Sequence, residues 1–513
     1  MRIIVRATAS KKMGSGHIMR CITLAEELSK KNDNIIEFVT QNFPENLDDL
    51  IKKKGFIVHS LKLLNKRKGD DKESFAFDQD QDASETIKAI KNNIIDLIIV
   101  DHYSIDYKWE RKLRPFTKKI MVIDDLANRR HDCDFVLDQN YINNQLRYEN
   151  LVSTDTIKLL GPRFALLREE FYTVSQKRKK SSGKNIRLFV FFGGSDLANL
   201  TSLVLKVISK SNFKGFYVDV VIGSLNPHKE KIQYLVSKSL HAKLHIQVDN
   251  IAILMSKADI ALCAGGSSTW ERMSLGLPSL IVTTAVNQEA LSNDLYKDGY
   301  INLLGSINNV NERVIEDALQ LAIQNPDNLQ LQSQKCKNLV DSLGARRVSN
   351  LLLGDIKAKD LFLREANDGD CDLYWHWAND PIVRENAYQQ QQITLKNHQI
   401  WYKKNLNSPN VIMLVVDSEY GPLAQVRFDR SESNFIISYS LAMQFRGFGL
   451  GKTIISKAIE YLRKFKTFTV IAEVKESNVS SRKIFEKVGF NQVSKSLKYN
   501  QQIFTFHMHI SRK

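Results

Sequence analysis

IIVRATASKKMGSGHIMRCITLAEEL, Ile3 to Leu28, passes from a short apolar stretch through two glycines into residues whose apolar members recur as on one helical face. The pattern predicts a strand, a sharp turn and a crossover helix. The pair Gly14 and Gly16 lets the backbone turn tightly and come close to a ligand, and the free N–H groups at the start of the helix face the same space. His17 stands at that point. The helix dipole disfavours a charged imidazole there, so His17 is expected to be neutral near pH 7 and able to take a proton from water. A helix cap and a hydrogen bond to substrate are the alternative roles for it.

Outward from this unit the same alternation continues through IIEFV (35 to 39), LIIVD (97 to 101), KIMVIDD (119 to 125) and FVLDQN (135 to 140). Short apolar runs separated by amphipathic stretches predict a parallel sheet with crossover helices. After the polar stretch SQKRKKSSGKN (175 to 185) the pattern restarts at IRLFVFFGGSD (186 to 196), followed by FYVDVVIGS, KLHIQV, IALCAGG and PSLIVTT. Two α/β lobes, residues 1–175 and 186–355, are expected to face each other across a cleft. From residue 360 the runs stand close together, as in VIMLVVDSEYGPLAQVRFDRSESNFIISYSLAM, which predicts antiparallel hairpins in a third domain of α+β type, 360–513.

Composition bounds the function. At 513 residues and 43% hydrophobic content the chain is long enough for two or three cores. No run of about 18 apolar residues and no signal-peptide pattern is present, so a soluble, cytoplasmic protein without membrane contact is expected. Five cysteines are scattered without a CxxC pair, which predicts buried thiols and no metal site. The formal charge of +16 raises nucleic-acid binding, but the positive residues lie in short clusters such as Lys66 to Lys68 and Lys177 to Lys180, without interleaved aromatics. A small acidic substrate such as a nucleotide diphosphate fits better. A nucleic-acid-binding protein with degenerate catalytic folds stays as the rival reading.

Two further glycine stretches fall at strand ends, where ligands of open α/β sheets gather. FFGGSDLANLT (191 to 201) carries Gly193 and Gly194. CAGGSSTWERMSLGLPSLIV (263 to 282) runs a strand into Gly265 and Gly266, after which Ser267, Ser268 or Thr269 could cap a helix whose N–H groups hold a diphosphate. Glu271, in the first turn, is placed to accept hydrogen bonds from ribose hydroxyls. Taken together, RATASKKMGSGHIMRCITLAEEL, VDHYSID, VIDDLANRRHDCDFVLDQN, LLGPRFALLREEF, FFGGSDLANLT and AGGSSTWE with AVNQE resemble the sugar-nucleotide hydrolases of pseudaminic acid biosynthesis over about residues 1 to 350. That resemblance implies a two-lobed fold of glycosyltransferase-B type, with UDP on the second lobe. It also implies removal of UDP from UDP-2,4-diacetamido-2,4,6-trideoxy-β-L-altropyranose by water attacking the anomeric carbon with inversion. The matching positions are His17, Tyr103, Glu271 and Asn287. Tyr103 either orients the base or packs beside His102, and Asn287 either meets the sugar or shapes its loop. The family usually reads RADAS where this chain has RATAS, so Thr8 replaces an aspartate and any role needing a charge there is in doubt. A glycosyltransferase, or a related nonulosonate-pathway hydrolase, is the alternative within enzymes.

In the third domain, QFRGFGLGKTIISKAIEYL (444 to 462) places small residues before a helix with apolar Ile454, Ile455, Ala458 and Leu462 on one face. Consecutive amides at the helix's positive end suit a pyrophosphate. With ESNVSSRKIFEKVGF (476 to 490) this domain resembles the GNAT N-acetyltransferases, and LYWHWANDPIVRENAY (373 to 388) with HQIWYKKNL resembles the branch acting on amino sugars. The resemblance implies acetyl-CoA as co-substrate, its pyrophosphate held at Arg446, Gly447, Gly449 and Gly451 and its arm met by Asn478, which could equally be a helix cap. Many members carry a tyrosine at the position of Phe485 to protonate the leaving thiolate. Phenylalanine cannot, so water or another donor has to assist. Glu473, on its strand beside the cofactor, is the candidate base, with an exposed strand carboxylate as its plainer reading. The combined reading is a bifunctional enzyme of pseudaminic acid biosynthesis. It acetylates the 4-amino group of UDP-4-amino-4,6-dideoxy-N-acetyl-β-L-altrosamine and then strips UDP from the product.

Overall fold

The computed structural model describes the chain except residues 8–15, 32, 42–46, 62–76, 92, 142–146, 178–185, 211–212, 214, 240, 357–360, 433, 465–466, 499–500 and 511–513. Thr8, Gly14 and most of the polar stretch after residue 175 therefore lie outside the described residues. The chain forms two compact units, Met1–Ser349 and Asn350–Lys513.

The first unit holds two parallel sheets. One is built from β1 (Arg2–Ala7), β2 (Ile35–Gln41), β3 (Ile57–Leu61), β4 (Ile95–Asp101), β5 (Thr117–Ile123), β6 (Phe135–Asp138) and β7 (Ile157–Leu160), in the order β3-β2-β1-β4-β5-β6-β7. Ile3, Ile4 and Val5 are all fully buried, as a central parallel strand covered on both faces requires. The other comprises β8 (Ile186–Phe191), β9 (Phe216–Ile222), β10 (Ala242–Ile246), β11 (Ile260–Ala264), β12 (Ser279–Thr283) and β13 (Asn302–Ser306), in the order β10-β9-β8-β11-β12-β13. Alternation along β8 splits its core. Leu188 and Val190 join one hydrophobic cluster with Val204, Ile315 and Leu319, while Phe189 joins another with Met255, Trp270 and Met273. Ala165, Leu167 and Phe171 pack into that second cluster, so the chain reaches the second sheet's core before residue 175.

In both sheets the strand order reverses beside the first strand, between β1 and β4 and between β8 and β11. Crossover helices leave these strands toward opposite faces, and the gap outside their carboxyl ends is where a ligand fits. His17 follows β1, Asp101 ends β4, Gly193 follows β8 and Gly265 follows β11.

The second unit is a mixed sheet of β14 (Phe362–Glu365), β15 (Val411–Asp417), β16 (Ala424–Ser431), β17 (Asn434–Leu441), β18 (Phe468–Lys475), β19 (Asn491–Lys498) and β20 (Gln501–Ile510), ordered β14-β15-β16-β17-β18-β20-β19. Neighbours are antiparallel except β17 and β18, which run parallel and pair only from Asn434–Ile436 to Thr469–Ile471. Beyond those residues the two strands diverge into a cleft. Cys21, Cys133, Cys263 and Cys336 are buried free thiols, whereas Cys371 is only half-buried.

Candidate active sites

The helix Gly16–Ser29 carries His17 and Arg20 one turn apart, so both side chains reach the end of β4. Asp101 accepts from His17 Nδ1 at 2.5 Å and from Arg20 Nε and Nη2 at 2.6 and 2.7 Å. Because a carboxylate only accepts, the Nδ1 atom carries a proton. Burial alone would push the Asp101 carboxyl up. The Arg20 guanidinium and His17 outweigh it and hold the group far below the ordinary carboxylate range. Arg20 also binds Asp125 at 3.0 Å, and the Tyr103 hydroxyl donates to the same carboxylate oxygen at 3.4 Å. The Tyr103 ring stands edge-on to His17 with centroids 4.5 Å apart, which places it on His17 and not beside His102. Burial, with Asp125 nearby, raises the Tyr103 phenol and keeps it protonated.

Across the cleft, a Cβ built on Gly16 would lie 3.6 Å from Ser267 Oγ, so the first-lobe turn touches the second-lobe loop. Ser267 precedes the helix Ser268–Ser274 but makes no side-chain cap; Ser268 and Thr269 instead accept from Arg272, at 2.8 and 3.0 Å. Ser267, at the cap position, has helical backbone angles (φ −56°, ψ −27°) and not the extended ones of a capping serine. Glu271 lies in the first turn, 3.3 Å from Arg168, and burial raises its carboxyl against the pull of that arginine. Gly265 packs tightly against Ser292 and Ile281. Gly266 borders Gln288, which also accepts from the Thr284 amide at 2.9 Å, and Asn287 sits exposed in the turn between them. Gly194 approaches Gly223, and Gly193 borders open space.

In the second unit, Gly447 and Gly449 have φ of +83° and +71° with nothing within 4 Å of a built Cβ, so the loop after β17 needs glycine and presents open backbone. Gly451 differs: a Cβ there would meet Ile484 Cδ1 at 2.5 Å, so its role is close packing of the helices Gly451–Leu462 and Val479–Val488. Arg446 is held in place by its neighbours, with Nη1 buried and unpartnered among the described residues. Its Nη2 pairs with Asp380 at 2.9 Å and its Nε donates to the Leu441 carbonyl. Asn478 caps the helix Val479–Val488 by accepting from the Ser481 amide at 3.1 Å. Glu473 lies two residues past Ile471, the last residue of β18 that pairs with β17, and is itself paired with Thr505 of β20. One oxygen meets Lys498 Nζ at 2.5 Å and the other accepts from the Tyr388 hydroxyl at 2.7 Å. Burial would raise this carboxyl, but the ammonium and phenol hold it below its ordinary value, which makes it a weak proton acceptor.

The Glycosyltransferase family 28 C-terminal domain matches residues 188–342, and the Acetyltransferase (GNAT) domain matches residues 360–491. A UDP-2,4-diacetamido-2,4,6-trideoxy-β-L-altropyranose hydrolase of Campylobacter jejuni is 27% identical over 301 residues, covering 58% of this chain and 98% of the relative. The chain is therefore similar to that hydrolase over its first unit and to the GNAT domain over residues 360–491. An uncharacterised protein of Methanocaldococcus jannaschii is 24% identical over 511 residues, 96% of this chain and 98% of its own, so the similarity runs through both units. Spore coat polysaccharide biosynthesis protein SpsG of Bacillus subtilis is 25% identical over 357 residues, 69% of this chain and 98% of the relative. Among solved structures, MurG of Acinetobacter baumannii superposes with a TM-score of 0.50 at 13% identity, over 69% of this chain and 99% of that one. The hydrolase-like unit thus shares the two-lobed glycosyltransferase-B fold.

Asp101, Arg20 and Asp125 complete the hydrolase-like site and are absent from the residues that the motifs singled out. A signal was present for Arg20, which stands three residues after His17, and for Asp101, which ends the apolar run LIIVD at the sheet's central strand.

Proposed function

We propose that the chain catalyses two consecutive steps on a UDP-linked amino sugar. The GNAT domain, 360–513, transfers acetyl from acetyl-CoA to the 4-amino group of UDP-4-amino-4,6-dideoxy-N-acetyl-β-L-altrosamine. The two lobes, 1–175 and 186–355, then hydrolyse UDP-2,4-diacetamido-2,4,6-trideoxy-β-L-altropyranose by water attack at C1 with inversion. The carrying observation is the His17–Asp101 pair at the first lobe's switch point, facing the glycine loop of the second lobe. Asp101 fixes the tautomer and balances the imidazolium that forms, Nε2 takes the proton of the attacking water, and Tyr103 fixes the ring plane. Backbone donors between Gly265 and Thr269 receive the departing diphosphate, with Glu271 at the ribose and Asn287 at the sugar. Gly447 and Gly449 open the backbone to the pyrophosphate of acetyl-CoA, and Asn478 meets its arm while capping its helix. Glu473 orients the amine, its two oxygens already bound to Lys498 and Tyr388.

Supplying the 4-amino UDP-sugar with and without acetyl-CoA and following products by mass spectrometry tests both steps. Free diacetamido sugar is expected only with acetyl-CoA, and its complete absence then counts against the pair of reactions. His17→Ala is expected to lower UDP release by about 10²–10⁴-fold with the acetylation intact. A second reading, glycosyl transfer to an acceptor, is favoured by the family 28 match over residues 188–342. UDP release that requires an added acceptor, and does not occur with water alone, would select it.

A further inference from the structure

Acyl transfer from a thioester expels a thiolate, whose conjugate thiol has a pKa of about 8.5, and a hydroxyl beside the sulfur eases that expulsion. Phe485 supplies none: it is buried among Phe490, Phe506 and Tyr439, whose ring meets it edge-on at 5.8 Å. Tyr439 belongs to β17, three residues beyond Ile436, the last residue that pairs with β18. It therefore stands on one arm of the divergence. Its hydroxyl is 3.0 Å from Ser481 Oγ, in the first turn of the helix that follows the other arm. Asn478 holds Ser481 in place by accepting from its amide. This bond joins β17 to the helix after β18 beyond the point where the two strands stop pairing, on the sheet face opposite Glu473.

We propose that the Tyr439 hydroxyl, relayed by Ser481, is the acid that protonates the sulfur leaving acetyl-CoA; this rests on the acetyl-transfer reading of the domain. The amine nitrogen bonds to the acetyl carbon, the carbon–sulfur bond breaks, and the sulfur takes the Tyr439 proton. Ser481 returns a proton to the phenolate and recovers one from solvent, while the amine's own proton passes to water. Burial raises the Tyr439 phenol, against the Ser481 hydrogen bond, so the group is protonated and ready to donate at neutral pH.

Tyr439→Phe removes only the hydroxyl and keeps the ring packing. In the full chain, with acetyl-CoA and the 4-amino UDP-sugar, thiol release is expected to fall about 10²-fold in kcat with KM for acetyl-CoA unchanged, while UDP release from the already acetylated diacetamido UDP-sugar is unchanged. Ser481→Ala is expected to give a smaller loss in kcat. A Tyr439→Phe chain that keeps its kcat, or loses activity only through KM, overturns the proposal alone. Wild-type chain that releases no thiol with the amino sugar overturns the acetyl-transfer reading, and this proposal with it.

Discussion

The two lobes of the hydrolase-like unit share their strand order as far as the sixth strand, yet they furnish the same topological position with opposite chemistry. At the β1/β4 switch the first lobe buries His17, Arg20 and Asp101, with Asp125 beside them. At the β8/β11 switch the second lobe offers glycines, hydroxyls and open backbone, and its buried Arg272 is consumed by Ser268, Thr269, Ser279 and the Ala264 carbonyl. Shared topology fixes where a ligand lies; the side chains decide what happens to it. A lobe of paired charges can move a proton at a set atom, whereas a lobe of amides and hydroxyls holds a polyanion without taking part in bond breaking.

The contrast is most exposed at Asp101. Asp101→Asn leaves Arg20 and His17 buried beside a neutral group, so the unit is expected to lose about 3–5 kcal/mol in urea unfolding, along with UDP release. Unchanged stability would show that the first lobe's ions are not a closed network. Next in size is Asp138, whose carboxyl burial pushes up to about 6 against the attraction of Arg147. The folded chain then keeps a proton that the unfolded chain, near 3.9, has released. That contribution is full below about pH 4 and is lost as pH rises through about 6, a cost of about 3 kcal/mol at neutrality. Asp138→Asn is expected to melt higher than wild type at pH 7.5 and alike at pH 4. A gap that does not change with pH would place the effect in packing. The smallest change is expected on the other lobe: Glu271→Gln should raise KM for the UDP-sugar about tenfold, or about 1.4 kcal/mol, with kcat kept. A fall in kcat instead would mean that the second lobe shares in the chemistry.

How far the sequence announces this site varies residue by residue. His17 is visible because glycines precede it and a helix follows. Asp101 ends the apolar run LIIVD, but it is 84 residues away and becomes the partner of His17 only when β4 settles beside β1, so no local pattern marks the pairing. Tyr103 in the same VDHY stretch is conspicuous as an aromatic next to a histidine, but its contact is His17 and not that neighbour. In the GNAT domain RGFGLG reads as one phosphate loop. The fold divides it: Gly447 and Gly449 face open space, Gly451 is pressed on Ile484, and Arg446 is tied to Asp380. A motif gives spacing along the chain, and spacing cannot say which small residue is needed for a ligand and which for a neighbouring helix.

Alternation of apolar runs and turns determined, without any structure, that there are two parallel lobes and a third domain with antiparallel hairpins, and that glycine loops end particular strands. Those properties are local, set by side-chain period and backbone freedom. The tertiary structure decided which charges meet. Asp101 and Arg20 are worth little apart in water; brought together with water excluded they bind strongly enough to hold the carboxylate ionised, and this gives the His17 Nδ1 proton a fixed acceptor.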